Sequence, residues 1–329
     1  MNSAPSLSVV VCAYTVDRWE DLQAALVSVQ SQRRPPEDIV LVVDHCPELQ
    51  RLADRMLHGV RVLPNQRRKG LSGARNTGVE AASGDVVAFL DDDAAAHPSW
   101  TERLLNDYRD PDVVGVGGLV VPWWETERPA WFPPEFDWVV GCSYRGLPEE
   151  PAPVRNFIGA NMSFRKDALR AAGGFRTDLG RVGARPLGCE ETELCLRITS
   201  RRPGAVLLHD PSAAVRHRVP AARATWSYFR ARCYAEGLSK ALVARYGDGS
   251  AALSSERVYL TSTLPRAFRE ALHPGRPAPA RTALALALGV GATFLGYAVG
   301  SVRARRSAVR SPRRPAEPPS LGPVQGSPA

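Results

Sequence analysis

Three adjacent carboxylates, Asp91-Asp92-Asp93, stand directly after the apolar run DVVAFL at residues 85–90. Beyond the carboxyl end of a buried strand such a trio is self-repelling unless a cation sits among the acids. Oxygen ligands select a hard ion, Mg²⁺ or Mn²⁺, and Mg²⁺ typically combines one or two carboxylates with the phosphates of a substrate. Asp91 and Asp93 are therefore the expected metal ligands, and the role of Asp92 is left open. Helix capping is the competing explanation, but Ala94-Ala95-Ala96-His97 separates the acids from the helix start at Pro98. A second acidic group lies in CEETEL (189–194). On a helix starting near Cys189, Glu191 heads a stripe continued by Leu194, Cys195 and Ile198, whereas Glu190 and Glu193 fall on the more polar side. First-turn acids are ordinarily stabilised by the helix dipole, which explains Glu190 and Glu193 better than it explains Glu191.

The elements that must position these groups alternate. Residues 7–13 (LSVVVCA) read as a strand and 18–30 as an amphipathic helix; DIVLVVD (38–44) and GVRVLP (59–64) are further strands, separated by a helical piece at 49–57. A helix over 71–82 leads into the strand that ends at the acids. Strands apolar on both faces, alternating with helices, predict a mostly parallel, Rossmann-like sheet covered on both sides. After the glycine-interrupted strand DVVGVGGLVV (112–121), residues 122–153 hold Trp123, Trp124, Trp131, Phe132, Phe136 and Trp138 among seven prolines. This stretch predicts an ordered loop packed by its own aromatics, with Trp123 and Trp124 bordering an acceptor. Helices are expected at 167–172, from about 189 to 200, at 222–246 and at 251–272.

Composition excludes several classes. The chain has 329 residues, 44% of them hydrophobic, enough for one large α/β domain with an appendage. Its six cysteines form no CxxC pair, which argues against a zinc site or a disulfide scaffold and for a reduced, cytosol-facing protein. The N-terminus lacks a basic region before its apolar run, so no signal peptide is expected. From Thr261 onward ten arginines face two acids, a surplus equal to the whole net charge of +8, so the first 260 residues are formally neutral. A neutral body with a basic end suggests an anionic membrane surface and not a nucleic-acid groove. Within that end, Thr282–Val302 is free of charge. Its 21 residues would span about 31 Å as a helix at ~1.5 Å per residue, just sufficient for a bilayer core. Arginines flank both ends, which leaves a span and an in-plane helix open. The last 27 residues, rich in Arg, Pro and Ser, read as disordered.

VCAY (11–14), VVD (42–44), KGLSGARNTGVEAASGD (69–85) and FLDDDA (89–94) resemble the nucleotide-sugar half of family 2 glycosyltransferases with the GT-A fold. IGANMSFRKDAL (158–169), GGF (173–175) and CEETELCLR (189–197) resemble the acceptor half. The likeness covers about residues 7–220 in unbroken order. It implies a donor half at 1–121 and an acceptor half at 122–220; pattern and composition add a helical extension at 221–275, a Pro-rich break with a membrane-associated helix at 276–302, and a basic tail at 303–329. It further implies donor contacts at Ala13, Tyr14, Asp44, Arg75, Asn76, Asp91 and Asp92, with Asp44 meeting the nucleobase. Arg75 and Asn76 would lie near a phosphate-facing helix start capped by Ser72. Gly78 is assigned to close packing only. By the same likeness His217 joins Asp91 and Asp93 at the metal, with Arg216 or Arg218 at phosphate, Asn161 lies on the acceptor side, and Glu190 and Glu191 are catalytic, Glu191 as base.

Two departures from the family pattern stand out. Glu191 replaces the usual Asp, and Asp44-His45-Cys46 replaces the usual acid pair or Asp-Gly-Ser. The implied activity is metal-dependent, inverting transfer from a nucleoside diphosphate sugar to a hydroxyl or lipid-phosphate acceptor in cell-envelope glycan or glycolipid synthesis. It would take place at the cytoplasmic face of the membrane, on a peripheral or single-span protein. The rivals are a nucleotidyltransferase, which would release pyrophosphate, and a non-catalytic, membrane-tethered nucleotide-sugar-binding protein.

Overall fold

The computed structural model describes residues 5–180, 188–245, 254–273 and 278–310. The apolar runs form strands β1 (Leu7–Ala13), β2 (Asp38–Val43), β3 (Arg61–Pro64) and β4 (Val86–Asp91). They are followed by β5 (Ala94–Ala96), β6 (Val113–Trp124), β7 (Ala152–Pro153), β8 (Asn161–Arg165) and β9 (Val206–Val219). All nine join one sheet in the order β3-β2-β1-β4-β8-β6-β9-β5, with β7 pairing β9 outside that path. The first four strands are parallel, as their two-sided apolar pattern requires. β8 then runs antiparallel to both β4 and β6, while β6 and β9 pair in parallel, so the sheet as a whole is mixed. Chain order reverses between β1 and β4, which places the crevice at the carboxyl ends of those two strands.

Alternate residues of β1 feed two cores. Val9 and Val11 pack with Leu22, Leu26 and Val29 of α1 (Trp19–Gln30), while Val10 packs with Ala74 and Val79 of α3 (Leu71–Ala81). Burial of each large aliphatic side chain on α1 contributes about 1.5–3 kcal/mol, which pins the helix to the sheet. Gly78 fits its packing assignment, since a Cβ there would run into Val10. The remaining helices of the body are α2 (Pro47–Met56), α4 (Trp100–Asp107), α5 (Lys166–Ala172) and α6 (Glu190–Arg201).

The end of the chain folds onto this body. α7 (Trp226–Val243) and α8 (Ser254–Val258) are followed by a π-helical turn at Tyr259–Thr263, then α9 (Leu264–Ala271) and α10 (Pro279–Arg310). α10 carries the charge-free segment and lies along α7, where Gly237 and Gly296 permit backbone contact. A Cβ on either would collide with a carbonyl, of Thr293 or Tyr234 respectively. The helix continues to Arg310, past the expected start of the disordered tail; residues 311–329 and most of the Pro-rich break (274–277) lie outside the described residues.

Candidate active site

β4 delivers Asp91 to the crevice, and the short strand β5 then carries the chain back along β9. Ala94 pairs with His217, and the Arg218 N–H donates to the Asp93 carbonyl at 2.8 Å. This register sets the His217 Nε2 3.0 Å from Asp93 Oδ1. Asp91, Asp93 and His217 each offer one ligand atom, all within 4.8 Å of one another. Two carboxylates and an imidazole at that spacing fit a hard divalent ion of the Mg²⁺ or Mn²⁺ kind. In the contact as it stands, a proton does what a cation would do. Burial alone would lower the imidazole, but the charge of Asp93 and the hydrogen bond to it hold His217 up at about 10. Burial alone would raise Asp93, yet His217, Arg223 and Arg18 hold it well below the usual carboxylate range. Metal binding would release that proton.

Alternation along β9 turns Arg216 and Arg218 away from His217. Arg218 pairs with Asp21 and Glu125 instead. Arg18 and Arg223 supply the cations at the acid cluster. Arg18 Nη1 donates to Asp92 at 3.0 Å and to Asp93 at 3.2 Å, and Arg223 lies 3.7 Å from Asp93. Neither arginine carried a sequence signal, because isolated surface-pattern cations look alike until folded. Asp92 is buried behind this pair, and burial together with the charge of Asp93 raises it to about 7.

Arg75 joins the two halves of the sheet. Fully buried on α3, it donates to Glu190 Oε1 at 2.9 Å and to the Gly159 carbonyl at 3.0 Å, and lies 3.5 Å from Asp91. Glu190, expected on the polar side of its helix, is thus buried and ion-paired. A cavity of about 390 Å³ is lined by Arg75, Asp91, Glu190, Glu191 and His217 together. Burial first, and then the neighbouring charge of Glu190, push the Glu191 carboxyl up to about 8, with Arg75 pulling the other way.

Other expected site residues stand apart. Asp44, buried at the end of β2, accepts from Asn65 Nδ2 at 2.6 Å and from Gly70 N at 2.9 Å, bracing the loop into α3. That helix is capped by Gly70, whereas Ser72 donates to the Leu179 carbonyl at 2.9 Å. Asn76 points away from the crevice and clasps both backbone groups of Phe175, at 2.8 and 2.7 Å. Ala13 is buried at the end of β1, and Tyr14 is half exposed beside Arg18. Asn161 is fully buried, accepting from Trp100 Nε1 at 2.8 Å and donating to the Ala213 carbonyl at 2.8 Å. It staples the sheet and does not line the cavity. Trp123 is 58% exposed on β6, and Trp124 packs edge-on against Phe132. The aromatic loop reaches the cavity through Phe136 and Trp138 instead.

An acidic strand end at the switch point of a parallel four-stranded half, facing a mixed second half across one cavity, is the arrangement of a GT-A glycosyltransferase. The comparisons with known proteins agree. The profile of glycosyl transferase family 2 matches residues 8–173. The glucosyl-dolichyl phosphate glucuronosyltransferase of Haloferax volcanii is 38% identical over 238 residues, covering 71% of this chain and 76% of that protein. The chain belongs to glycosyl transferase family 2 and is an enzyme of that kind. A pre-mycofactocin glycosyltransferase of Mycobacterium tuberculosis is 29% identical over 195 residues, 59% of this chain but 39% of that protein. In fold, the chain is similar to a mannosyltransferase of Pyrobaculum calidifontis solved with GDP-Man and Mn²⁺. The likeness covers 92% of this chain and 88% of that one, with a TM-score of 0.57 at 19% identity.

Proposed function

We propose that this enzyme moves a sugar from a nucleoside diphosphate sugar to an acceptor hydroxyl with inversion at the anomeric carbon, in glycolipid or cell-envelope glycan synthesis. The supporting observation is that the Asp91-His217 edge of the acid cluster and the raised carboxyl of Glu191 border a single cavity. Residues 1–121 serve as the donor half and 122–220 as the acceptor half. Asp91, Asp93 and His217 would hold a Mg²⁺ or Mn²⁺ ion, which supplies positive charge to the departing diphosphate. Arg75 keeps Asp91 and Glu190 in place. The acceptor oxygen bonds to the anomeric carbon as the bond to the diphosphate breaks on the opposite face. Its proton passes to Glu191, and the bond's electron pair leaves with the nucleoside diphosphate. Incubation with Mn²⁺ and a panel of sugar nucleotides is expected to release free nucleoside diphosphate from one of them. Release of pyrophosphate would assign a nucleotidyltransferase, and donor binding without turnover a binding protein.

Membrane contact through α10 belongs to the same reading. Its outer face exposes Leu284, Leu288, Phe294, Leu295 and Val302, and Arg281 and Arg303 flank it. A helix crossing the bilayer would draw α7, with Arg232, Glu236 and Lys240, into hydrocarbon, at a cost of several kcal/mol. α10 therefore lies in the plane of the interface. Alkaline carbonate washing is expected to strip the protein from membranes; retention in the pellet would establish a span.

A further inference from the structure

The far end of the cavity is built unlike its catalytic end. Beyond Glu191 the wall is formed by Arg232, Glu236 and Lys240, one turn apart on α7, together with Arg155 and Glu256. Arg155 Nη2 donates to Glu256 at 2.9 Å, Lys240 pairs with both acids, and Arg232 lies 3.3 Å from Glu236. Among the described residues, three cations and two carboxylates thus meet in a half-buried wall. Arg232 Nε is buried with no hydrogen-bond partner among the described residues. An unused guanidinium N–H among three clustered cations calls for an anion with several acceptor oxygens. The i,i+4 charge ladder on α7 lines the cavity.

The opening next to this cluster is apolar. Tyr259, Leu260, Val290 and Phe294 line it, and Leu260 and Phe294 are also exposed to the outside, Phe294 at 55%. Phe294 lies on α10 beside the outer face that carries Leu288 and Leu295, so the lip of the cavity continues onto the proposed membrane face. A free sugar has no use for such a lip.

Resting on the glycosyl-transfer reading above, we propose that Arg155, Arg232 and Lys240 form a subsite for the phosphate of a lipid-linked acceptor. The hydrocarbon chain of that acceptor leaves the cavity between Leu260 and Phe294. The cation cluster holds the headgroup while the lip guides the chain toward the bilayer. Specificity comes from both ends, since a phosphate alone lacks the apolar contact and an alcohol alone offers the Arg232 Nε–H no anionic acceptor.

Calorimetric titration of the full chain with farnesyl phosphate, farnesol and inorganic phosphate, each below its aggregation limit, tests this. Farnesyl phosphate is expected to bind at least about tenfold more tightly than either of the others, a difference of about 1.4 kcal/mol. Arg232→Gln is expected to remove about tenfold of that affinity, and Arg232→Lys to stay within about threefold of the wild type. Equal binding of farnesol would overturn the phosphate subsite, and equal binding of inorganic phosphate the lipid exit. Should Arg232→Gln fail to fold, the three-ligand comparison on the wild type decides alone. Nucleoside diphosphate binding in Mn²⁺ is measured on the same samples. Its loss in the wild type would sink the glycosyl-transfer reading, whereas intact nucleotide binding without discrimination among the three probes sinks only the subsite.

Discussion

Glu191→Gln is expected to lower the rate of sugar transfer by about 10²–10⁴-fold, the usual contribution of a positioned base. The amide keeps the shape of the side chain but cannot take the acceptor's proton. The pH profile supplies a second readout. A base works in its deprotonated form, and burial beside Glu190 holds this carboxyl at about 8. In the wild type kcat/KM should therefore climb about tenfold per pH unit on the acid side and level off above about 8. In Glu191→Gln that climb should vanish. A variant retaining wild-type turnover would remove the base from the mechanism and identify the nucleophile as an oxygen already anionic, such as a lipid phosphate.

Asp91→Asn should shift the Mn²⁺ concentration needed for half-maximal activity upward by about 10²-fold or more. Loss of an outer-shell partner alone typically costs 10–100-fold in metal affinity, and a direct ligand sets the lower bound higher. An amide oxygen offers a hard cation a dipole where the carboxylate offers a charge. Asp91 suits the test because it is only half-buried and its one ion pair among the described residues, with Arg75 at 3.5 Å, is backed by Glu190. The fold should survive. The variant's melting temperature with EDTA present reports this separately. An unchanged Mn²⁺ dependence would remove Asp91 from the metal site.

Asn76 and Asn161 mark where reading residue types along the chain misleads. Each lies in a motif of the family, and each was expected to meet a ligand. The structure spends Asn76 on the backbone of Phe175 and Asn161 on Trp100 and the Ala213 carbonyl. Buried backbone groups at irregular crossings need partners, and a side-chain amide supplies a donor and an acceptor at once. Glu190 misled for a related reason. A helical wheel tells which side of its own helix a residue occupies, and nothing of the buried Arg75 waiting across the gap.

What the linear chain determined by itself was whatever depends on neighbours in sequence. The alternation of doubly apolar runs with helical stripes dictated strands covered on both faces. The position of Asp91 at the end of such a strand dictated an acidic crevice, and the concentration of arginine after Thr261 set a basic end. Tertiary structure decided everything that depends on pairs of residues far apart in the chain. It brought His217 to Asp93 through the register of β5 on β9, put Arg18 and Arg223 beside the acids in place of Arg216 and Arg218, and laid α10 along α7. Periodicity is a local property of the backbone, but the partner of a charge is settled by distances across the fold, where desolvation makes an unpaired ion costly and a paired one specific.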